Sequence, residues 1–313
     1  MDAVSDPNHS AFEGSPDESR LELGAAPIQI RLFGGLSVFK LGASVGLRAA
    51  ARTEQLLLSL ALAQTRGVTR ERLLSQVWPE ADVSLPAQSL HSLLHTLHRM
   101  LGDAIGGATP VVHDGELYRL NFEAGIAVDV TAFDALARRG DQVWRAGLHS
   151  LACDHCRQAV GLYRGDLHAI GDESVLVERE RLRGSYLLML GRLADVARHD
   201  GDCVSAMEYA SQVLKHDAGR EDAHRVLMAS YAQLGQRVQA MRQYQLCERI
   251  LREAFEAIPE PATRALYDHL RLRPDTKFES ELDLVLSSGS GAGFASSEVG
   301  TERKGSAAQT PRR

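Results

Sequence analysis

The chain of 313 residues lacks a glycine-rich phosphate loop, so no nucleotide switch is expected. It lacks a nucleophile elbow, and its acids are scattered over helical faces, so no enzyme chemistry is expected. No apolar run approaches the length of a membrane span. The first residues are polar and acidic with no apolar core, so no signal peptide is expected. A cationic excess is also missing: the net charge is -6 and the pI near 6.1, whereas nucleic-acid binders usually carry a basic domain. Four cysteines, Cys153, Cys156, Cys203 and Cys247, are expected as reduced thiols in the cytoplasm. Cys153 and Cys156 flank His155 in a C-x-x-C. At i and i+3 on a helix they would hold a metal only with further ligands, and buried cysteines otherwise behave as small apolar residues. No cofactor is expected.

What is present is a globular composition, 44% apolar and 24% charged, with length for two domains plus tails. Met1 to Pro27 is rich in Asp, Glu, Ser, Pro and Gly and reads as a disordered leader. Between Ile28 and Phe122 nine Lys/Arg face seven Asp/Glu, about +2, while the remainder is acidic. In this segment Ile28, Ile30 and Leu32 alternate with polar residues, and Gly34-Gly35 breaks the run. Two or three short antiparallel strands are predicted to Leu47. Ala49 to Arg66 is helical and ends at Gly67. Thr69 caps a second helix, stopped by Pro79.

The stretch Ser84 to Gly102, SLPAQSLHSLLHTLHRMLG, is the centre of the segment. Ser84 is a plausible N-cap, Pro86 fits the first turn, and Gly102 fits the stop. Leu90, Leu93, Leu94, Leu97 and Leu101 form an apolar stripe, and Gln88, Ser92, His95, Thr96 and Arg99 fall opposite. Alone, this is an ordinary amphipathic surface helix. Its surroundings change that. VVHDGELYRLN, Val111 to Asn121, follows with Asp114-Gly115 between apolar runs, a hairpin signal. Strands, three helices and a hairpin make a winged helix with an extra N-terminal sheet.

Ala127 to Arg273 is almost wholly helical, with Asp129 and Thr131 as expected caps at its start. Leu193, Gly201, Val204, Ala206 and Met207 recur 34 residues later as Leu227, Gly235, Val238, Ala240 and Met241. That is the period of tetratricopeptide-type helix pairs, which suggests a concave protein-binding surface. After Pro274 only FESELDLVL is patterned, and residues 274–313 are expected to be mostly disordered. The fold class expected is mainly α: an N-terminal winged helix-turn-helix with a small β-sheet and wing over 28–122, then an all-α tetratricopeptide-like repeat domain over 127–273.

The front segment resembles the OmpR-type winged helix. It is closer to the version in the Streptomyces antibiotic regulatory protein family, through Trp78-Pro79-Glu80 before the recognition helix and Tyr118-Arg119-Leu120 in the wing strand. The back half resembles the bacterial transcriptional activator domain. The match is carried by LYRGDL (Leu162 to Leu167), by Glu178-Arg179-Glu180-Arg181-Leu182 and by EPATRALY from Glu260. The resemblance implies a transcriptional activator that binds double-stranded DNA at promoter direct repeats as a homo-oligomer and contacts RNA polymerase. Its target genes would include those of secondary metabolism, and it would be cytoplasmic and nucleoid-associated, with no membrane partner.

DNA binding needs cations against phosphates and side chains that reach base edges. Gln88 can pair with adenine, Arg99 with guanine, and Thr96 can touch a thymine methyl; Ser92 and His95 share the face, with His113 and Arg119 in the wing. The family's outward face usually carries several arginines. Here the stretch reads His95-Thr96-Leu97-His98-Arg99, and the wing tip His113-Asp114-Gly115-Glu116 is acidic. Binding could depend on tandem copies, or the domain could have become an adaptor acting through protein contacts. His91, His95 and His98 lie on one side, and the 91/95 pair could hold a metal or add charge at low pH; polar groove-facing histidines are the simpler account. Trp78 is expected to pack rather than to stack on a base.

Overall fold

The computed structural model describes residues 23–46, 51–79, 86–168 and 173–272. Most of the leader, the cap at Ser84, the connector from Glu80 to Val83 and the tail after Leu272 lie outside the described residues. The chain divides into two compact units between His216 and Asp217.

In the first unit, β1 (Ile28–Arg31), β2 (Ser37–Lys40) and β3 (Ala43–Val45) pair antiparallel in sequence order. Ile28, Ile30 and Val38 are wholly buried, as their alternation predicts. A fourth strand, β7 (Ile126–Val128), adds to the free side of β1 in parallel, with Ile30 opposite Val128. Its three residues are all buried, so it shows no alternation and carries no strand signal in the sequence.

The helices of the front segment are α1 (Ala51–Ala63), α2 (Arg70–Val77) and α3 (Pro86–Leu101). Thr69 caps α2, its hydroxyl accepting the Arg72 N–H at 3.4 Å. A second sheet has the order β4 (Val68–Thr69), β6 (Leu117–Leu120), β5 (Val111–Asp114). α1 ends in a 3-10 turn, Gln64–Arg66, and Gly67 follows with φ +70°. A Cβ on Gly67 would sit 3.1 Å from that of Leu117, so glycine is what lets this turn lie against β6.

The α-helix ends at Leu101, directly before Gly102, as expected. The chain then tightens into a 3-10 turn, Gly102–Ile105, and leaves it at Gly106 in the left-handed region. Gly102 also allows close packing, because a Cβ there would meet the His98 ring at 3.1 Å. The hairpin forms where Asp114-Gly115 signalled it, and since Asp114 pairs with Leu117 its two-residue turn is Gly115-Glu116. Gly115, at φ +61°, takes the position that needs the left-handed region.

α4 (Asp129–Arg145), α5 (His149–Leu162), α6 (Glu173–His199) and α7 (Cys203–His216) complete the first unit. The second holds α8 (Glu221–Gln233), α9 (Arg237–Phe255) and α10 (Pro261–Leu272). In it Met228, Ala229, Ala240, Leu266 and Leu270 form the core, and Tyr244 stacks on Tyr267 at 4.0 Å. Buried His224 donates from Nε2 to the Ala218 carbonyl and accepts from Gln243 at Nδ1, which fixes a neutral ring.

The 34-residue repeat holds at the level of single hydrogen bonds. Gly201 and Gly235 take φ +77° and +73°. Asp202 N–H donates to the Ala197 carbonyl at 2.8 Å, and Gln236 N–H to that of Tyr231 at 2.7 Å. Ala206 and Ala240 are both fully buried, while Val204 and Val238 are both mostly exposed. A third copy joins α4 to α5: Gly147 has φ +79°, Leu148 N–H donates to the Val143 carbonyl, and Ala152 is fully buried. It lies 54 residues before Gly201, because the LYRGDL segment intervenes, so a search at period 34 passes over it.

Candidate nucleic-acid interface

α3 packs on α1 and α2 through Leu90, Leu97 and Leu101, each at most 2% exposed; Leu93 and Leu94 are half-buried. Lys40 on β2 donates to Asp103 at 2.6 Å and ties the sheet to the turn that ends α3. That hydrogen bond holds the Asp103 carboxyl below its ordinary pKa. The helix is thereby fixed at both its apolar face and its C-terminal end.

Its other face carries Ser92, His95 and Arg99, all exposed, with His91 beside them. Among the described residues no hydrogen bond or ion pair holds the side chains of His95 or Arg99. Thr96 is half-buried, and its hydroxyl donates back to the Ser92 carbonyl at 2.8 Å. Gln88 lies in the first turn of α3, and its side chain is outside the described residues. His98 separates from His91 and His95: it is half-buried, with Nδ1 shielded from solvent and unpartnered. Trp78 is half-buried with the Arg52 guanidinium 5.8 Å above its ring.

In the wing, His113 is exposed and its ring lies 4.4 Å from that of its cross-strand partner Tyr118. Arg119 follows Tyr118 and pairs with Val112, so it projects from the opposite face of the hairpin. The two wing residues therefore cannot present one continuous surface. Asp114 and Glu116 are exposed at the tip and keep it acidic.

Behind this face lies a dense seam that the sequence did not reveal. Asp129 opens α4 but does not cap it. Its buried carboxylate accepts the N–H groups of Leu32 and Phe33, at the end of β1, and of Val130, at 2.8 to 3.1 Å. Thr131, the second expected cap, has a shielded hydroxyl with no partner. Burial pushes the Asp129 carboxyl up to about 6, against the opposing pull of those three N–H groups. Phe33 packs edge-on to Phe133 at 5.2 Å and against Tyr163 at 4.7 Å, and Tyr163 stacks on Tyr186 at 4.0 Å. The LYRGDL motif supplies Tyr163, the Gly165 carbonyl that accepts the Gly34 N–H at 3.1 Å, and Leu167, which bridges to Phe33.

A second knot joins the 3-10 turn of the winged helix to α4 and α6. Gln64, held at φ +50°, donates to Asp134 at 2.7 Å, and Arg181 donates to both oxygens of Asp134 at 2.8 and 2.9 Å. Glu178 takes the same guanidinium at 2.6 Å, so the charged stretch from Glu178 to Leu182 acts as a clasp. A left-handed glutamine costs about 1 kcal/mol, which the buried hydrogen bond offsets.

Elsewhere the chemistry is sparse. Cys153 and Cys156 are buried free thiols; burial raises both, Cys156 to about 11, which disfavours the thiolate. Among the described residues no three His, Cys, Asp or Glu side chains gather as a metal site requires, and no helix is long and apolar enough to cross a membrane.

Residues 128–271 match the bacterial transcriptional activator domain family. The fold is similar to that of EmbR from Mycobacterium tuberculosis, solved in complex with a low-affinity phosphopeptide. The TM-score is 0.67 at 19% identity, covering 84% of this chain and 70% of that one. A C-terminal TPR-containing domain of a putative FK506-binding protein from Plasmodium falciparum aligns at TM-score 0.35 and 16% identity, over 46% of this chain and 88% of that one. No curated protein sequence matches the chain. Residues 128–271 are thus a bacterial transcriptional activator domain, and they follow a winged helix with two small sheets.

Proposed function

We propose that the chain is a sequence-specific DNA-binding activator whose α3 enters the major groove. The observation that carries this is the exposed face of α3, on which the His95 and Arg99 side chains have no partner among the described residues while the opposite stripe is buried against α1 and α2. Gln88 and Thr96 would complete the base-reading face, with His113 and Arg119 reaching the flanking backbone each from its own face of the wing. Arg99 is suited to guanine and Gln88 to adenine. With one permanent cation on the face, a single copy gains little from phosphate neutralisation. Copies on promoter direct repeats would add their binding free energies, which makes a homo-oligomer on DNA the working form. The helical repeats would hold RNA polymerase at the promoter, where a few kcal/mol of contact raises occupancy. The protein would act in the cytoplasm, at the nucleoid, on genes that include those of secondary metabolism.

A second function is favoured by one observation, the acidic wing tip at Asp114 and Glu116. A wing that repels phosphate suits an adaptor that keeps the winged helix as a scaffold and acts through its helical repeats.

A gel-shift titration on fragments upstream of neighbouring operons, at two salt concentrations, separates the two. A groove reader gives selective shifts that weaken with salt and vanish in His95→Ala/Arg99→Ala. An adaptor gives no shift on any fragment with folded protein.

A further inference from the structure

A cavity of about 320 Å³ opens between α1, the 3-10 turn, α2 and the start of α6. A smaller one of about 210 Å³ lies on the other side of the same turn, against α4 and α6. Arg66 lines both. The larger cavity has apolar walls from Leu58, Leu62, Val68 and Val175, and Arg72 faces it from α2.

Charge bookkeeping around the two cavities is uneven. Three carboxylates line them, and all three are committed. Glu178 and Asp134 are taken by Arg181, and Asp141 by Arg192 at 2.6 Å. Of the lining arginines, the guanidinium groups of Arg66, Arg72 and Arg138 have no hydrogen-bond or ion-pair partner among the described residues. The larger cavity is mixed, with Gln55, Ser59, Gln76 and Ser174 beside the aliphatic side chains, and a cleft that joins an apolar wall to unengaged cations suits a small ligand with both characters. Guanidinium groups match carboxylate and phosphate by paired N–H donors.

We propose that the larger cavity binds a small amphipathic anion. Its carboxylate or phosphate would lie between Arg66 and Arg72, and its apolar body against Leu58, Leu62 and Val175. The site adjoins Gln64, the strained residue that joins the winged helix to Asp134 and Arg181, so an occupant would bear on that clasp. The proposal stands whether or not the chain binds DNA.

The test is calorimetric titration of the full chain, without DNA, with phenyl phosphate, inorganic phosphate and benzyl alcohol. Saturable binding of phenyl phosphate is expected, with both other probes at least about tenfold weaker, since each supplies only half of the recognition. Arg66→Gln/Arg72→Gln is expected to weaken phenyl phosphate about tenfold or more, and Arg252→Gln, in the second unit, to leave it unchanged. Both changed residues are exposed, so folding is not at stake. Absence of saturable phenyl phosphate binding overturns the proposal, and so does equal binding by the double variant. Inorganic phosphate or benzyl alcohol binding as tightly as phenyl phosphate overturns the amphipathic class.

Discussion

The outer face of α3 and the seam beneath β1 lie in one unit and are built in opposite ways. Along the seam nearly every polar group is spent: Asp129 on three backbone N–H groups, Asp134 on Gln64 and Arg181, Gly34 on Gly165. On α3, His95 and Arg99 are committed to nothing among the described residues. A seam of satisfied, desolvated groups gives rigidity, because removing any one partner strands another. An unengaged, exposed face gives little stability and leaves its donors for a ligand. The same contrast separates Arg181 from Arg66, one clasped and the other lining two cavities without a partner.

The contrast predicts where substitutions hurt. Asp129→Ala should lower the stability of the first unit most, by about 3 kcal/mol, since it strands buried N–H groups; chemical denaturation followed by circular dichroism measures it. The next largest effect concerns pH. The Asp129 carboxyl sits at about 6 in the folded chain against 3.8 as its ordinary value, so the native state holds the proton more tightly than the unfolded one. Its contribution to stability therefore falls as pH rises from about 4 to about 6, by up to about 3 kcal/mol. Asp129→Asn should remove that slope, and a slope unchanged in the variant would show that other groups produce it.

Two glycines refine the comparison. Gly34 and Gly147 have nearly equal φ, +77° and +79°, but a Cβ at Gly34 would lie 3.1 Å from the Arg164 carbonyl, whereas at Gly147 it would meet open space. Gly147→Ala should cost about 1 kcal/mol from the backbone alone, and Gly34→Ala clearly more. Equal losses would mean that the seam yields easily. The smallest effect is expected at the reading face. His95→Ala/Arg99→Ala should shift stability by no more than about 0.5 kcal/mol while abolishing the gel shift. A large loss of stability there would place these side chains in the fold rather than at a groove.

Some of this was legible in the sequence for a clear reason. Periodicity records burial, so the stripe of Leu90, Leu97 and Leu101, the alternation of Ile28 and Ile30, and the 34-residue repeat of Gly201 and Gly235 all read directly. Thr69 as a cap was equally local, because the hydroxyl and the N–H it accepts are three residues apart. The C-terminal end of α3 before Gly102 was legible too, but not that this glycine also makes room for His98. Asp129 was misread: a carboxylate at a helix start resembles a cap, and its partners lie 96 and 97 residues away.

The sequence by itself therefore determined the helices and the hairpin of the front segment, the buried stripe of α3, the outward set Ser92, His95 and Arg99, and the repeated helix turns, because each depends on spacings of a few residues or a fixed period. Only the tertiary structure decided that β7 completes the first sheet, that LYRGDL docks on Phe33 and Gly34, that His113 and Arg119 leave opposite faces of the wing, and that Asp134 clasps Gln64 to Arg181. These are pairings between distant residues of common types, and what selects them is which groups burial leaves in need of a partner.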